Sequence, residues 1–183
     1  MTTNREREEH LASVTLLPGV ISADTARDVE DARVERIVLK RLARSRLSEW
    51  EVAQILCDEA IGADRIPDWL ARYGELGYVD DELLAGELVA SYRGRKGLGR
   101  SAIARELGRR KIADAVAHAA LGEINGDEES DLAHTLAAQR LTQLGSLDDT
   151  VVRRRLTAFL LRKGYSFETA RVAVEAALVS RGS

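Results

Sequence analysis

Internal repetition is the feature of this sequence that most restricts its fold. Three segments align with one another without gaps: residues 51–61, 102–112 and 155–165. Apolar residues coincide in the second, sixth and last columns, and the second-column residues Val52, Ile103 and Leu156 are 51 and 53 positions apart. Amphipathic helices can share a period by chance, but stacked repeats require a common register. We therefore predict tandem repeats, with an irregular helical bundle as the alternative.

Helix signals surround each aligned segment. The chain is rich in Ala, Leu, Arg and Glu, and only Pro18 and Pro67 interrupt it, so helix is the expected state almost throughout. Ser48, with Glu51 three residues later, is a capping-box signature for the start of a helix. Apolar residues recur at helical intervals before and after each segment, which indicates three short helices per repeat. The predicted fold is all-α, an elongated tandem array of three three-helix repeats.

The first part of the chain differs in character from the rest. Residues 1–31 carry three arginines against seven acidic residues and include the Leu-Pro-Gly break at positions 17–19. This segment has no sustained helical period until an amphipathic pattern starts at Ala32, so we expect a disordered or mobile acidic tail. The predicted divisions that follow are three three-helix repeats: residues 32–79, 80–126 and 127–183.

Little in the sequence suggests catalysis or a cofactor. Cys57 is the only cysteine, so no internal disulfide can form, and it has no spaced partners for a zinc site. His118 and His134 fall on different predicted helices, and no acid or nucleophile is identifiably partnered to either. Residues 94–101 nearly match a P-loop, but Arg100 replaces the required Lys and a predicted helix precedes them. We expect no catalytic residue, metal, cofactor or enzymatic activity.

The cellular environment can be estimated from the same features. No stretch approaches the roughly 20 apolar residues of a membrane span, and the N-terminus does not follow the pattern of a signal peptide. A single cysteine fits a reducing compartment. We expect a cytoplasmic protein with no membrane partner.

Several residues in the connections receive structural predictions. Gly77 is suited to the end of a helix, and Asp80 or Asp81 to capping of the next one. The glycines of residues 94–101 are expected to permit a tight turn between two helices. We also predict that five side chains pack in the interior: Trp50, Cys57, Trp69, Tyr78 and Val79.

Two motifs in the right order resemble the RecX family. The first is the Leu-Gly-Tyr-Val-Asp-Asp turn at residues 76–81, a helix, and then Lys96-Gly97 followed by Ile103 and Glu106-Leu107. The second is the segment 155–167, a predicted helix that ends in a basic residue, a glycine and an aromatic. The resemblance covers roughly residues 32–178. Residues 57–61, Cys-Asp-Glu-Ala-Ile, depart from the second pattern, which puts DNA contact by the first repeat in doubt.

The resemblance implies a regulator of the RecA recombinase. Such a protein would bind RecA and RecA–single-stranded-DNA filaments, with weak direct DNA binding at most. It would modulate ATP hydrolysis, strand exchange and recombination in DNA repair and the SOS response, with inhibition as the expected direction. We expect a monomer. The alternatives are a sequence-independent DNA-binding module, or a structural helical adaptor without a nucleic-acid partner.

The charge distribution supplies candidate contact residues. The net charge is −3, so the protein as a whole is not a polyanion binder by composition. Local basic clusters are strong, and they either solvate helical faces or contact phosphates or an acidic protein surface. The candidate residues for contact with the filament or DNA are Arg93, Arg95, Lys96, Arg100, Arg105, Arg109, Arg110, Lys111, Arg153, Arg154, Arg155, Arg162 and Lys163.

Overall fold

The computed structural model describes residues 23–144 and 147–182, and these fall into two compact units. The first unit ends at Leu39 and the second begins at Lys40. The first helix, α1, is Ala23–Leu42, and its residues 23–39 are the described part of the first unit. It starts nine residues before the amphipathic pattern predicted from Ala32, so residues 23–31 of the predicted tail are helical. The remainder of the predicted tail, residues 1–22, lies outside the described residues.

Among the described residues of the second unit, every secondary-structure element is a helix, and short turns connect the helices. Its helices are α2 Glu49–Asp58, α3 Ile66–Glu75, α4 Asp81–Lys96, α5 Arg100–Arg109, α6 Asp114–Gly122, α7 Gly126–Thr142, α8 Asp149–Lys163 and α9 Phe167–Gly182. Helix α2 packs on α3, helices α4 to α6 pack on one another, and helices α7 to α9 do the same. Each of the last two groups has its own apolar core. The predicted all-α fold of three-helix repeats is confirmed.

The repeat alignment is confirmed in three dimensions. All side chains of its second, sixth and last columns are buried: Val52, Ile103, Leu156, Leu56, Leu107, Leu160, Ile61, Ile112 and Tyr165. In each copy the last-column N–H donates to the carbonyl oxygen of the sixth column, at 3.0, 3.3 and 3.2 Å in chain order. The tenth column has a left-handed backbone in every copy: Ala60, Lys111 and Gly164. Each middle helix thus ends in the same backbone turn, which turns an apolar side chain back into the core.

The predicted caps are also present. Ser48 and Glu51 form a complete capping box at the start of α2. Asp80 rather than Asp81 caps α4, since its carboxylate accepts from the N–H of Leu83 at 2.8 Å. Gly77 and Gly97 both have positive φ. The second of them ends α4 and leads within three residues into α5, as expected of a tight connection.

The prediction of an interior position is wrong for three of the five side chains. Trp69 and Val79 are buried, but Trp50 is 45% exposed, Tyr78 is 46% exposed, and Cys57 is also exposed. Trp50 and Cys57 are seven residues apart and share one face of α2, whereas the buried Val52 lies on the opposite face. Apolar character alone therefore misplaced them, because α2 is covered on one side only.

Candidate functional site

The candidate basic residues divide into those that hold the fold together and those that are available to a partner. Four members of the first class contact a neighbouring helix group: Arg93, Arg100, Arg110 and Lys163. Two such regions recur, and both use the carbonyl oxygens at the end of a middle helix. We call the contacts of residues 46–51 with α4 and with the end of α5 the first joint. The contacts of residues 96–101 with α7 and with the end of α8 are the second joint.

The first joint is built from side chains. The buried hydroxyl of Ser48 donates to the carbonyl oxygen of Arg110 at 2.7 Å. The guanidinium of Arg110 donates to the carboxylate of Glu51, with Nε 3.0 Å from Oε1, and to the carbonyl oxygen of Arg46 at 2.8 Å. The N–H of Glu49 donates to Asp81 Oδ1 at 2.9 Å. Arg110 therefore joins two helix groups.

The electrostatics of the first joint follow from this geometry. Burial raises the pKa of Glu51, but hydrogen bonds from Arg110 and Ser48 outweigh it and hold that pKa below its usual value. Hydrogen bonding to Glu51 raises the pKa of Arg110. Burial raises the pKa of Asp81. The Glu51–Arg110 ion pair is thus fixed in its charged form at neutral pH.

The second joint brings two backbones into direct contact. The N–H of Gly99 donates to the carbonyl oxygen of Lys163 at 2.9 Å, and both the N–H and the hydroxyl of Ser101 donate to that of Gly164. A Cβ on Gly99 would lie 2.7 Å from the Gly164 oxygen, and a Cβ on Gly164 would overlap the backbone of Ala102. Glycine at these two positions permits the close approach.

Several other candidates are also engaged within the protein. Arg100 donates to the carbonyl oxygens of Leu121 and Ile124 at 2.8 and 2.9 Å, so it satisfies the C-terminal end of α6. Four further candidates pair with carboxylates or pack on a ring, and a fifth donates to a carbonyl oxygen and lies beside a ring. They are Arg93 with Glu128, Arg109 with Glu106, Arg153 with Glu175, Lys96 over Tyr92, and Lys163 with the Lys96 carbonyl and beside Phe159.

Six candidates have exposed side chains that make no hydrogen bond or ion pair with the residues that the structure describes. We call them the unpaired basic set: Arg95, Arg105, Lys111, Arg154, Arg155 and Arg162. Arg105 belongs to α5, Lys111 follows the end of α5 by two residues, and the three arginines after them in the list belong to α8. The unpaired basic set therefore lies mainly along the middle helices of the second and third repeats.

Two surface grooves lie at matching positions of these middle helices. The α5 groove, of 610 Å³, is lined by Arg105, Glu106, Gly108, Arg109 and Lys111. The α8 groove, of 450 Å³, is lined by Arg140, Leu144, Arg154, Arg155, Ala158, Phe159 and Arg162. Three alignment columns are shared by the two grooves, and the eighth carries an arginine in both copies, Arg109 and Arg162. In the first repeat that column holds Asp58.

Four residues of the α8 groove were not among the predicted candidates: Arg140, Leu144, Ala158 and Phe159. Phe159 is four residues after Arg155 and three before Arg162, so its place on the same helical face could have been found from spacing. Arg140 belongs to α7, and no local pattern links it to α8. Only the packing of the two helices brings it there.

Other kinds of site find no support in the described residues. No cluster of three His, Cys, Asp or Glu side chains that could hold a metal occurs among residues 23–144 and 147–182. In the same part of the chain, no helix is both long and apolar enough to cross a membrane.

Comparison with known proteins gives consistent matches. The models of the second and third three-helix domains of RecX match residues 80–121 and 127–174. The regulatory protein RecX of Streptomyces coelicolor is 32% identical over 154 residues, which cover 84% of this chain and 81% of that protein. The regulatory protein RecX of Amycolatopsis mediterranei is 32% identical over 133 residues, covering 73% of this chain and 76% of that protein.

The fold has solved counterparts. The crystal structure of RecX from Lactobacillus salivarius superposes with a TM-score of 0.76 at 18% identity, and the match covers 83% of this chain and 99% of that one. A second crystal structure, of a regulatory protein RecX, gives a TM-score of 0.74 at 17% identity. At this level of identity, the two structures support the fold alone.

Proposed function

This chain belongs to the RecX family of regulatory proteins, and from that premise we propose that it binds RecA–single-stranded-DNA filaments and inhibits their activities. The activities concerned are ATP hydrolysis, strand exchange and recombination. The protein acts by binding, without a cofactor and without chemistry of its own.

The unpaired basic set is the observation that carries this proposal. Exposed guanidinium and ammonium groups without internal partners are free to contact phosphates or carboxylates. They recur on the middle helices of two consecutive repeats, so one protein offers successive contacts along an extended, acidic ligand. A filament of protein on DNA is such a ligand, since it presents both phosphates and carboxylates.

The joints restrict which arginines can act in this way. Arg100 and Arg110 already donate to carbonyl oxygens or a carboxylate, and removing either would take a hydrogen-bond donor from these groups. Substitutions at these two positions would therefore lower the stability of the protein, and any loss of filament binding could follow from that. The proposed contact residues are the members of the unpaired basic set.

The first test is single-stranded-DNA-dependent ATP hydrolysis by RecA from the same organism, titrated with this protein at low and moderate salt. Binding to bare DNA is measured alongside. We expect inhibition at substoichiometric protein with little affinity for bare DNA. No change in hydrolysis would contradict the proposal. Tight binding to bare DNA that falls steeply with salt would favour a sequence-independent DNA-binding module instead.

A matched pair of variants connects the effect to the surface. Arg105→Gln with Arg162→Gln removes two unpaired charges from the middle helices, and we expect it to weaken inhibition about tenfold. Arg41→Gln with Arg44→Gln changes the net charge equally at exposed positions before α2, and we expect little effect. Equal losses in both variants would show that overall charge, and not this surface, governs the interaction.

A further inference from the structure

The α8 groove differs chemically from the α5 groove, although the two grooves share three alignment columns. The α5 groove has no apolar side chain in its lining and includes the carboxylate of Glu106. The α8 groove has three apolar residues in its lining and no acid. A surface that only contacts phosphates needs charge but no apolar floor. The two grooves are therefore suited to different ligands.

We propose that the α8 groove binds a segment of a partner protein in which an aliphatic side chain is flanked by carboxylates. The inference deepens the proposed function, on which it rests, by assigning this groove to the protein component of the filament. The α5 groove, which has no apolar side chain in its lining, would contact the phosphates of the DNA.

Charge complementarity is the first support for this ligand. Four arginines line the groove, and Arg154, Arg155 and Arg162 have no partners within the described chain. A guanidinium donates two parallel hydrogen bonds to a carboxylate, which fixes direction as well as distance. Arg155 and Arg162 are two helical turns apart on one face of α8, so they can engage carboxylates on either side of a central residue.

The floor of the groove is the second support. Leu144 is buried, and Ala158 and Phe159 are half-buried, so an aliphatic side chain of the partner would lose contact with water here. The volume of 450 Å³ exceeds that of one such side chain and falls within the ~300–1,000 Å³ typical of ligand pockets.

The surroundings of Phe159 argue against a nucleic-acid base as the occupant. The guanidinium carbon of Arg140 and the Nζ of Lys163 each lie 5.7 Å from the centre of the Phe159 ring. Bases bind single-stranded nucleic-acid proteins by stacking on open aromatic faces. Phe159 is itself half-buried, so its ring offers a base only part of a face for stacking.

The test uses short fluorescein-labelled peptides and the full-length protein. The first peptide has one leucine flanked by three glutamates on each side, and the second has serine in place of leucine. Oligothymidylate is the third probe. Fluorescence anisotropy at low salt should show the leucine peptide binding about tenfold more tightly than the serine peptide, because only leucine buries apolar surface. Equal binding of the two peptides would overturn the proposal.

Variants then locate the peptide. Arg155→Gln with Arg162→Gln should weaken the leucine peptide about tenfold or more, whereas the matched pair Arg41→Gln with Arg44→Gln should not. All four positions are exposed, and helicity measured by circular dichroism should be unchanged in both variants. Oligothymidylate that binds more tightly than the leucine peptide, and is released by the α8 variant, would assign the groove to nucleic acid and overturn the proposal.

The two proposals fail in different ways. If the protein inhibits RecA but does not distinguish leucine from serine, the groove proposal fails and the proposed function stands. If the protein binds the leucine peptide through Arg155 and Arg162 but leaves RecA hydrolysis unchanged, the peptide site stands and the filament is not its partner. That second result would direct a search for acidic segments in other proteins.

Discussion

The hydroxyl of Ser48 donates a hydrogen bond of 2.7 Å to the carbonyl oxygen of Arg110, 62 residues later in the chain. Ser101 makes the corresponding contact one repeat further on, with Gly164 at 2.8 Å. In both cases a serine at the start of a middle helix satisfies a carbonyl at the end of the next one. The two joints share this serine–carbonyl hydrogen bond. Around it, the first joint is held by side chains, whereas the second brings two backbones into direct contact.

Replacing Ser48 with alanine should destabilise the protein by about 2 kcal/mol. The hydroxyl caps α2 and also satisfies a buried carbonyl, and neither role has a substitute. Ser101→Ala is the control, because the Ser101 backbone N–H still donates to Gly164 at 3.2 Å. We expect a loss below about 1 kcal/mol there. Urea denaturation of the two variants measures both, and equal losses would contradict the difference between the joints.

Acid should weaken the first joint through Glu51. Its pKa in the folded protein lies below that of the unfolded chain. Its stabilising contribution is therefore complete above the unfolded value of about 4.3 and is lost as pH falls through the folded value. Glu51→Gln should be less stable than the native sequence at pH 7, by about 1 kcal/mol, and the difference should shrink towards pH 3.

Thermal unfolding of both proteins at several pH values provides the measurement. Asp81, whose pKa is raised by burial, contributes with the opposite sign but is present in both proteins. Since the charge of Glu51 also helps to raise the pKa of Asp81, the difference between the two curves reports Glu51 together with its effect on Asp81. A difference that stays constant down to pH 3 would show that the Glu51 charge does not stabilise the joint.

Closing the second joint should require glycine at position 99. An alanine Cβ there would lie 2.7 Å from the Gly164 oxygen, although the backbone conformation of Gly99, with φ of −83°, suits any residue. We expect Gly99→Ala to cost about 2 kcal/mol or more through this overlap. Gly86→Ala in the interior of α4 meets no atom within 4 Å and should stabilise by up to about 1 kcal/mol. Denaturant midpoints that move in the same direction would disprove the close approach.

Replacement with alanine should reduce stability at Arg100 but leave it nearly unchanged at Arg105. Arg100→Ala removes the donor to the carbonyl oxygen of Ile124 and one of the donors to that of Leu121, and we expect a loss of about 1–3 kcal/mol in unfolding free energy. Arg105→Ala removes an exposed, unpartnered side chain and should change stability by less than about 0.5 kcal/mol. Urea denaturation combined with filament binding would separate the two roles.

The sequence was most informative where a local period decides the structure. Leu56, Leu107 and Leu160 were placed correctly in one column, since three helices in register bury the same turn. It was less informative about Trp50 and Cys57, because exposure depends on which face of α2 a neighbour covers. Apolar composition does not contain that information.

The role of each arginine was harder still to predict. Arg110 and Arg109 are adjacent in one basic cluster, yet Arg110 spans a joint and Arg109 pairs within its own helix. The Glu51 partner of Arg110 is 59 residues away. Charge blocks read along the chain cannot distinguish such cases, because the acceptor is brought in by tertiary packing.

The tenth column of the alignment tolerates a side chain in the first two repeats but not in the third. Ala60 and Lys111 adopt the left-handed turn at a cost of about 1–2 kcal/mol each. At Gly164, any larger residue would also strike the backbone of Ala102. The three copies therefore share the backbone turn of this column without sharing its residue. Glycine is needed at position 164 because two backbones meet there with no room for a side chain.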